Sequence, residues 1–134
     1  MKKYLLDSHT LIWAIVDTSK LSNVALKILQ NNDNLLFVSA VSFWEIAIKH
    51  GKGKMNLENF QIQNIPDYCR RLAIEQIPLM PKDAINYSTL LFNENHKDPF
   101  DRMLIYQCLS GNYTLISKDD KMKNYKDFGL ECIW

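Results

Sequence analysis

Short apolar runs separated by longer stretches of helical period are what most limits the fold of this chain. Lys3-Tyr4-Leu5-Leu6, Leu35-Leu36-Phe37-Val38, Ile77-Pro78-Leu79-Met80, Tyr113-Thr114-Leu115-Ile116-Ser117 and Leu130-Glu131-Cys132-Ile133-Trp134 are all of strand length. A strand that is apolar on both faces must be covered on both faces, which calls for helices on each side of a sheet. Alternation of such strands with helices gives right-handed β-α-β units, hence an α/β fold with a mostly parallel central sheet of about five strands. Pro78 cannot donate to a strand ladder, so the third run belongs at a sheet edge. A length of 134 residues supports one sizeable core and not two, so residues 1–134 are read as one domain.

The helices announce their ends. Ser22 caps a helix over Asn23–Gln30, whose apolar side chains are Val24, Leu26, Ile28 and Leu29, and Asn31-Asn32-Asp33-Asn34 closes it as a turn. Ser39 or Ser42 opens the next helix, which Gly51 stops after Lys49 and His50. Residues 51–64 read as a loop with only short ordered pieces, and helices follow over 65–76 and 81–94. Pro99 suits the first position of a further helix that Gly111 ends.

The net charge of +1 and a hydrophobic share of 47% describe an ordinary globular chain, so any contact with nucleic acid must come from a local patch. Met1-Lys2-Lys3 and the apolar residues after them imitate the start of a signal peptide, but Asp7 and His9 interrupt it. With no small-residue cleavage site and no apolar span of about 18 residues, the expected location is the cytoplasm, without membrane attachment. Cys69, Cys108 and Cys132 are odd in number and far apart, which fits free thiols in a reducing compartment rather than a zinc site.

Five carboxylates stand where a folded chain ordinarily avoids them. Asp7 ends the first run, Glu45 shares a helix face with Val41 and Ile48, Asp98 and Asp101 flank a helix entrance, and Asp119 follows the fourth run. Each has a local explanation. Asp7 can cap a helix beginning near Thr10, Glu45 can pair with Lys49, Asp98 can cap the helix that Pro99 begins, Asp101 can be neutralised by Arg102 or Lys97 in the first turn of that helix, and Asp119 can be a turn residue beside Asp120. Their joint placement is harder to explain that way: in a parallel sheet the ends of the first and fourth strands and the start of the helix after the second fall on one edge. Carboxylates gathered in one pocket repel and resist joint ionisation unless a cation compensates them. An all-oxygen set selects hard Mg²⁺ or Mn²⁺ over zinc.

Leu5-Leu6-Asp7-Ser8-His9-Thr10-Leu11-Ile12-Trp13, Val38-Ser39-Ala40-Val41-Ser42-Phe43-Trp44-Glu45-Ile46-Ala47-Ile48-Lys49, His96-Lys97-Asp98-Pro99-Phe100-Asp101-Arg102-Met103-Leu104-Ile105 and Leu115-Ile116-Ser117-Lys118-Asp119 resemble, in order, the four motifs of the PIN-domain family. The resemblance spans essentially the whole chain and points most closely to toxin-type ribonucleases of bacterial toxin–antitoxin systems. It implies a PIN-like fold with Asp7, Glu45, Asp101 and Asp119 as catalytic residues and ligands of Mg²⁺ or Mn²⁺. Asp98 would be an auxiliary ligand or helix cap. Ser117, His9 and His96 would support the site without ligating, and Trp13 and Trp44 would be core. RNA would be hydrolysed by a metal-activated water to leave a 5′-phosphate. Basic side chains must hold the strand around so acidic a pocket, and the candidates are Lys49, Lys52, Lys54, Arg102, Lys118, Lys121 and Lys123. The resemblance further implies an antitoxin partner and a homodimer, and residues 51–64 are the segment expected to set selectivity or meet the antitoxin.

Two other functions use acids at a sheet edge. A phosphotransferase or phosphatase would use Asp7 as nucleophile but wants a second aspartate two residues later, where this chain has His9. A phosphorylatable receiver domain wants paired acids after the first strand, and Asp7 stands alone. A PIN-like module that binds RNA or protein without cutting is a third reading, although no acidic motif position is missing.

Overall fold

Five strands pair in parallel throughout, in the order β3-β2-β1-β4-β5. They are β1 Lys3–Leu6, β2 Leu35–Ser39, β3 Ile74–Ile77, β4 Thr114–Ile116 and β5 Cys132–Ile133. The computed structural model describes residues 1–55, 57, 59–90 and 96–134. Among these, the helices are α1 Ser8–Val16, α2 Asn23–Gln30, α3 Ala40–Gly51, α4 Ile65–Arg71, α5 Pro81–Asn86 and α6 Pro99–Gly111, with a long 3₁₀ segment over Asp120–Phe128. None is long and apolar enough to cross a membrane.

Side chains alternate across a strand, so each strand feeds two cores. Leu6, Leu36, Val38 and Ile116 pack with Leu11 and Ile12 of α1, Ala25 of α2, Ile46 of α3, and Ile65 and Cys69 of α4. Leu5, Phe37 and Leu115 point the other way, onto Met103, Leu104, Ile105 and Cys108 of α6 and onto Met122 and Tyr125. Leu5, Leu6, Leu115 and Ile116 have no exposed surface, and such complete burial stabilises by roughly 2 kcal/mol per side chain. A double-sided sheet of this kind is what the unbroken apolar runs demand.

Caps set the helix starts. Ser22 Oγ accepts from the Ala25 N–H at 3.0 Å and Ser39 Oγ from the Val41 N–H at 3.1 Å, so Ser39 rather than Ser42 opens α3. Asp98 Oδ1 accepts from the Phe100 and Asp101 N–H groups at 2.9 and 3.1 Å, with Pro99 at the first helical position. Gly111 is the last residue of α6, and Asn112 makes the left-handed turn that follows, at φ 57°.

Three boundaries differ from expectation. The third strand is Ile74–Ile77 rather than 77–80: it lies at the sheet edge as expected but stops before Pro78, whose missing N–H cannot extend the ladder. The helix expected over 65–76 ends at Arg71, because Ala73 turns left-handed at φ 55° and releases Ile74 into the sheet. The helix expected over 81–94 stops at Asn86, passes through a 3₁₀ turn over Tyr87–Thr89 and is extended by Leu90; its remainder, 91–94, lies outside the described residues. In the 51–64 segment, Gly51 belongs to α3 and Ile62–Asn64 forms a 3₁₀ turn, while Asn56 and Glu58 lie outside the described residues.

The strand order reverses direction beside β1: β2 and β3 build outward on one side, β4 and β5 on the other. At such a switch point the loops leaving adjacent strands part and open a crevice beyond their carboxyl ends. Here the two loops are laced together. The Asp7 N–H and the Thr10 hydroxyl both donate to the Ile116 carbonyl, at 3.2 and 3.0 Å.

Candidate active site

Asp7 occupies the crevice itself. It caps α1, its Oδ1 accepting from the Thr10 N–H at 2.8 Å, and only 7% of its surface is exposed. Burial pushes its carboxyl above the usual carboxylate range, while the Ser117 and Thr10 hydroxyls oppose that by favouring the ionised form. Ser117, buried at the end of β4, also accepts from the Asp119 N–H at 3.1 Å, so one hydroxyl links the two strand ends.

Glu45 lies in the second turn of α3 with 4% of its surface exposed. Its Oε1 accepts from the Ser8 hydroxyl at 2.5 Å, and its Oε2 meets Lys49 Nζ at 2.6 Å. Burial opposes the charge on Lys49, but the bond to Glu45 and the fields of Glu45, Asp98 and Asp101 outweigh it and hold the ammonium above its ordinary pKa.

Asp101 is where the acids converge. Ligand atoms of Glu45, Asp98 and Asp101 lie within 4.8 Å of one another, and so do those of His96, Asp101 and Asp119. Burial, with the charges of Asp98 and Glu45, pushes the Asp101 carboxyl up to about 6, against the pull of His96. His96 Nε2 lies 3.1 Å from Asp101 Oδ2, and His96 Nδ1 is buried without a partner among the described residues. Asp7 belongs to neither group and reaches them through Ser117.

This donor set fits a hard divalent cation. Carboxylates from α3 and the α6 entrance form one group and the loop after β4 joins a second through Asp101, with Lys49 paired to Glu45 and His96 to Asp101. Burial, with repulsion from Asp98 and Glu45 added to it, keeps Asp101 protonated to higher pH than an isolated aspartate, and a cation would relieve both. Cysteine does not join in: burial, then the charge of Asp7, pushes the half-buried Cys132 thiol up to about 11.

The sequence model of the PIN domain matches residues 4–127. The chain belongs to the PIN domain family. Along its full length it is 23% identical over 137 residues to Ribonuclease VapC22 of Mycobacterium tuberculosis, again over the full length of that protein. Solved structures of similar fold include VapBC2 of Rickettsia felis bound to a DNA fragment from its promoter, at TM-score 0.64 and 20% identity, covering 98% of this chain and 97% of that one. VapBC-1 of nontypeable Haemophilus influenzae aligns at TM-score 0.63 and 18% identity, over 98% and 96%. The parallel order β3-β2-β1-β4-β5 is thus this PIN domain's scaffold, and its acids sit at that scaffold's carboxyl edge.

Asp98 does two jobs at once, capping α6 and standing within the carboxylate group of Glu45 and Asp101. Lys52, Lys54, Lys118, Lys121 and Lys123 are exposed; Lys118 Nζ lies 5.8 Å from the Trp13 ring centroid and Lys123 pairs with Asp120 at 3.1 Å. His9 is exposed with its ring 5.6 Å from that of Trp13. Two expectations are corrected. Arg102, expected to hold the nucleic-acid strand, is 3% exposed: its guanidinium donates to the Tyr87 and Tyr125 hydroxyls and the Leu90 carbonyl, and its fork of N–H donors serves these acceptors together. Trp44, expected in the core, is 61% exposed, with its indole edge-on to Phe100 at 5.3 Å; the buried face of α3 is carried by Val41, Ser42, Glu45 and Ile46 instead. Ser8 escaped the sequence reading altogether. Its only signal is a hydroxyl residue directly after a capping aspartate, and such residues are common without a role.

Proposed function

We propose that this PIN domain is a Mg²⁺- or Mn²⁺-dependent endoribonuclease, acting in the cytoplasm as the toxin of a toxin–antitoxin pair. The observation that carries the proposal is the pair of ligand groups that share Asp101 beyond the strand ends, Glu45 and Asp98 in one and His96 and Asp119 in the other. Glu45, Asp101 and Asp119 would hold the cation directly, Asp98 would assist, and Asp7 would complete the set from the base of the crevice. The bound cation would supply an activated water and charge stabilisation on the leaving oxygen of an RNA phosphodiester. The chain's own side chains have defined tasks. Ser117 holds Asp7 and the Asp119 backbone, His96 orients Asp101, and the lysines at 49, 52, 54, 118, 121 and 123 offer charge to the phosphates that the acids would otherwise repel.

Similarity to Ribonuclease VapC22 and to VapBC assemblies supports both the RNA substrate and a protein antitoxin as partner. Exposed Trp44 lines an apolar groove of about 260 Å³ with Leu79, Ala84, Phe100 and Met103, a surface suited to a second copy and hence to the homodimer. A phosphotransferase using Asp7 is the less favoured reading, since that carboxylate is buried and one of its oxygens is committed to capping α1.

Purified protein incubated with structured and single-stranded RNA tests the proposal. Cleavage with Mg²⁺ or Mn²⁺, none with chelator, and loss in Asp7→Asn and Asp101→Asn are expected. Metal-independent cleavage or full activity in both variants would reject it, binding without cleavage would favour a non-catalytic module, and a phosphate trapped on Asp7 would favour phosphotransfer. Exchange of the 51–64 segment should move the cleavage sites if that segment sets selectivity.

A further inference from the structure

Both oxygens of Glu45 are occupied, but by partners of opposite mobility. Ser8 is 2% exposed and is the first residue of α1, anchored by the Asp7 cap and the laced strand ends behind it; its hydroxyl meets Oε1 at 2.5 Å. Lys49 sits one turn along α3 on a four-carbon stem, its side chain 33% exposed, with its ammonium on Oε2 at 2.6 Å. A buried serine at a fixed helix start has little room to move its hydroxyl, whereas a lysine one-third exposed can leave by rotating its stem into solvent.

We propose that Ser8 is a positioning residue that locks Glu45 in orientation, while Lys49 is a built-in counter-ion that holds the other oxygen until a divalent cation displaces it. The inference rests on the metal-dependent reading above and concerns how the chain's own residues prepare that site. Lys49 Nζ holds the Oε2 of Glu45 that a divalent cation seated among Glu45, Asp98 and Asp101 would take, and their ligand atoms lie within 4.8 Å of one another, so the two cations compete for one oxygen and repel each other there. Lys49 therefore competes with the metal for Glu45, and on release it leaves a cation at the rim of the site, where a substrate phosphate approaches. Ser8 acts in the opposite sense. It spares the metal the cost of ordering Glu45, the usual contribution of an outer hydrogen-bond partner to metal affinity.

The two roles have opposite signatures in Mn²⁺ binding measured by calorimetry or electron paramagnetic resonance on the intact protein. Ser8→Ala should weaken Mn²⁺ binding roughly 10-fold or more, and Ser8→Thr, which keeps the hydroxyl, should restore most of it. Lys49→Met should tighten Mn²⁺ binding several-fold while lowering the melting temperature of the metal-free protein. Lysine acetylation followed by mass spectrometry should find Lys49 protected without metal and reactive with it, relative to Lys52 and Lys54. Unchanged affinity in Ser8→Ala, weaker or equal affinity in Lys49→Met, or equal Lys49 reactivity in both states would overturn the proposal. Asp101→Asn separates the two levels: if it binds Mn²⁺ as well as the unaltered protein, the metal site itself is wrong, whereas loss of binding in Asp101→Asn beside normal binding in Ser8→Ala removes only the role of Ser8.

Discussion

Asp101 makes stability depend on pH in a direction opposite to that of most carboxylates. Its folded pKa is raised from 3.8 to about 6, so the folded chain holds this proton more tightly than the unfolded chain does. The stabilisation is fully present below 3.8 and is lost as pH rises through about 6. A displacement of roughly two pH units corresponds to about 3 kcal/mol at most, a large part of the stability of a domain this size. Asp7, raised by burial, adds in the same direction. Urea unfolding of the metal-free protein, followed from about pH 4 to about pH 7 and compared with Asp101→Asn, isolates the effect, since the amide keeps the shape and removes the proton. The difference in stability, unaltered protein minus variant, should fall across that range. Mn²⁺ at 100 times its dissociation constant should return about 2.7 kcal/mol near neutral pH and little near pH 4, where protons occupy the site. A difference that is flat or rises with pH, or a Mn²⁺ effect of equal size in the variant, would refute the reasoning.

Other substitutions separate scaffold from site. Arg102→Met should cost about 3 kcal/mol in urea unfolding, because it strands the Tyr87 and Tyr125 hydroxyls and the Leu90 carbonyl, and added Mn²⁺ should not rescue it. Asp98→Ala should lose about 1 kcal/mol of capping together with part of the metal affinity, whereas Asp98→Asn should regain the cap in a thermal melt and leave the affinity low in a Mn²⁺ titration. Asn112→Gly should stabilise the protein by roughly 0.5 kcal/mol, since glycine meets the left-handed turn at φ 57° without side-chain cost, and a denaturant midpoint shifted the other way would contradict that.

Much of the architecture was legible because strand signals here are short, apolar on both faces and bounded by caps. Leu5 and Leu6 feed opposite cores from one strand, so a run apolar on both faces already implies helices on both sides. The third strand was misplaced because helical period continues past Arg71 and the chain departs from it only through the left-handed turn at Ala73, a residue type that gives no warning. Acids at strand ends could be read from position alone. Their helpers could not: Arg102 looks like surface until Tyr87 and Tyr125 are seen to enclose it, and the contact of Ser8 with Glu45 joins residues 37 positions apart. Trp44 misled for the converse reason: a large aromatic residue in a helix reads as core, although its neighbours Val41, Glu45 and Ile46 carry the buried face instead.

Anomalous diffraction from crystals soaked in Mn²⁺ addresses the site directly, independent of any choice of RNA. Manganese should appear beyond the carboxyl ends of β1 and β4, ligated by oxygens of Glu45, Asp101 and Asp119, with Lys49 withdrawn from Glu45. Manganese bound elsewhere, or an acidic pocket that stays empty at saturating Mn²⁺ and neutral pH, would contradict the account.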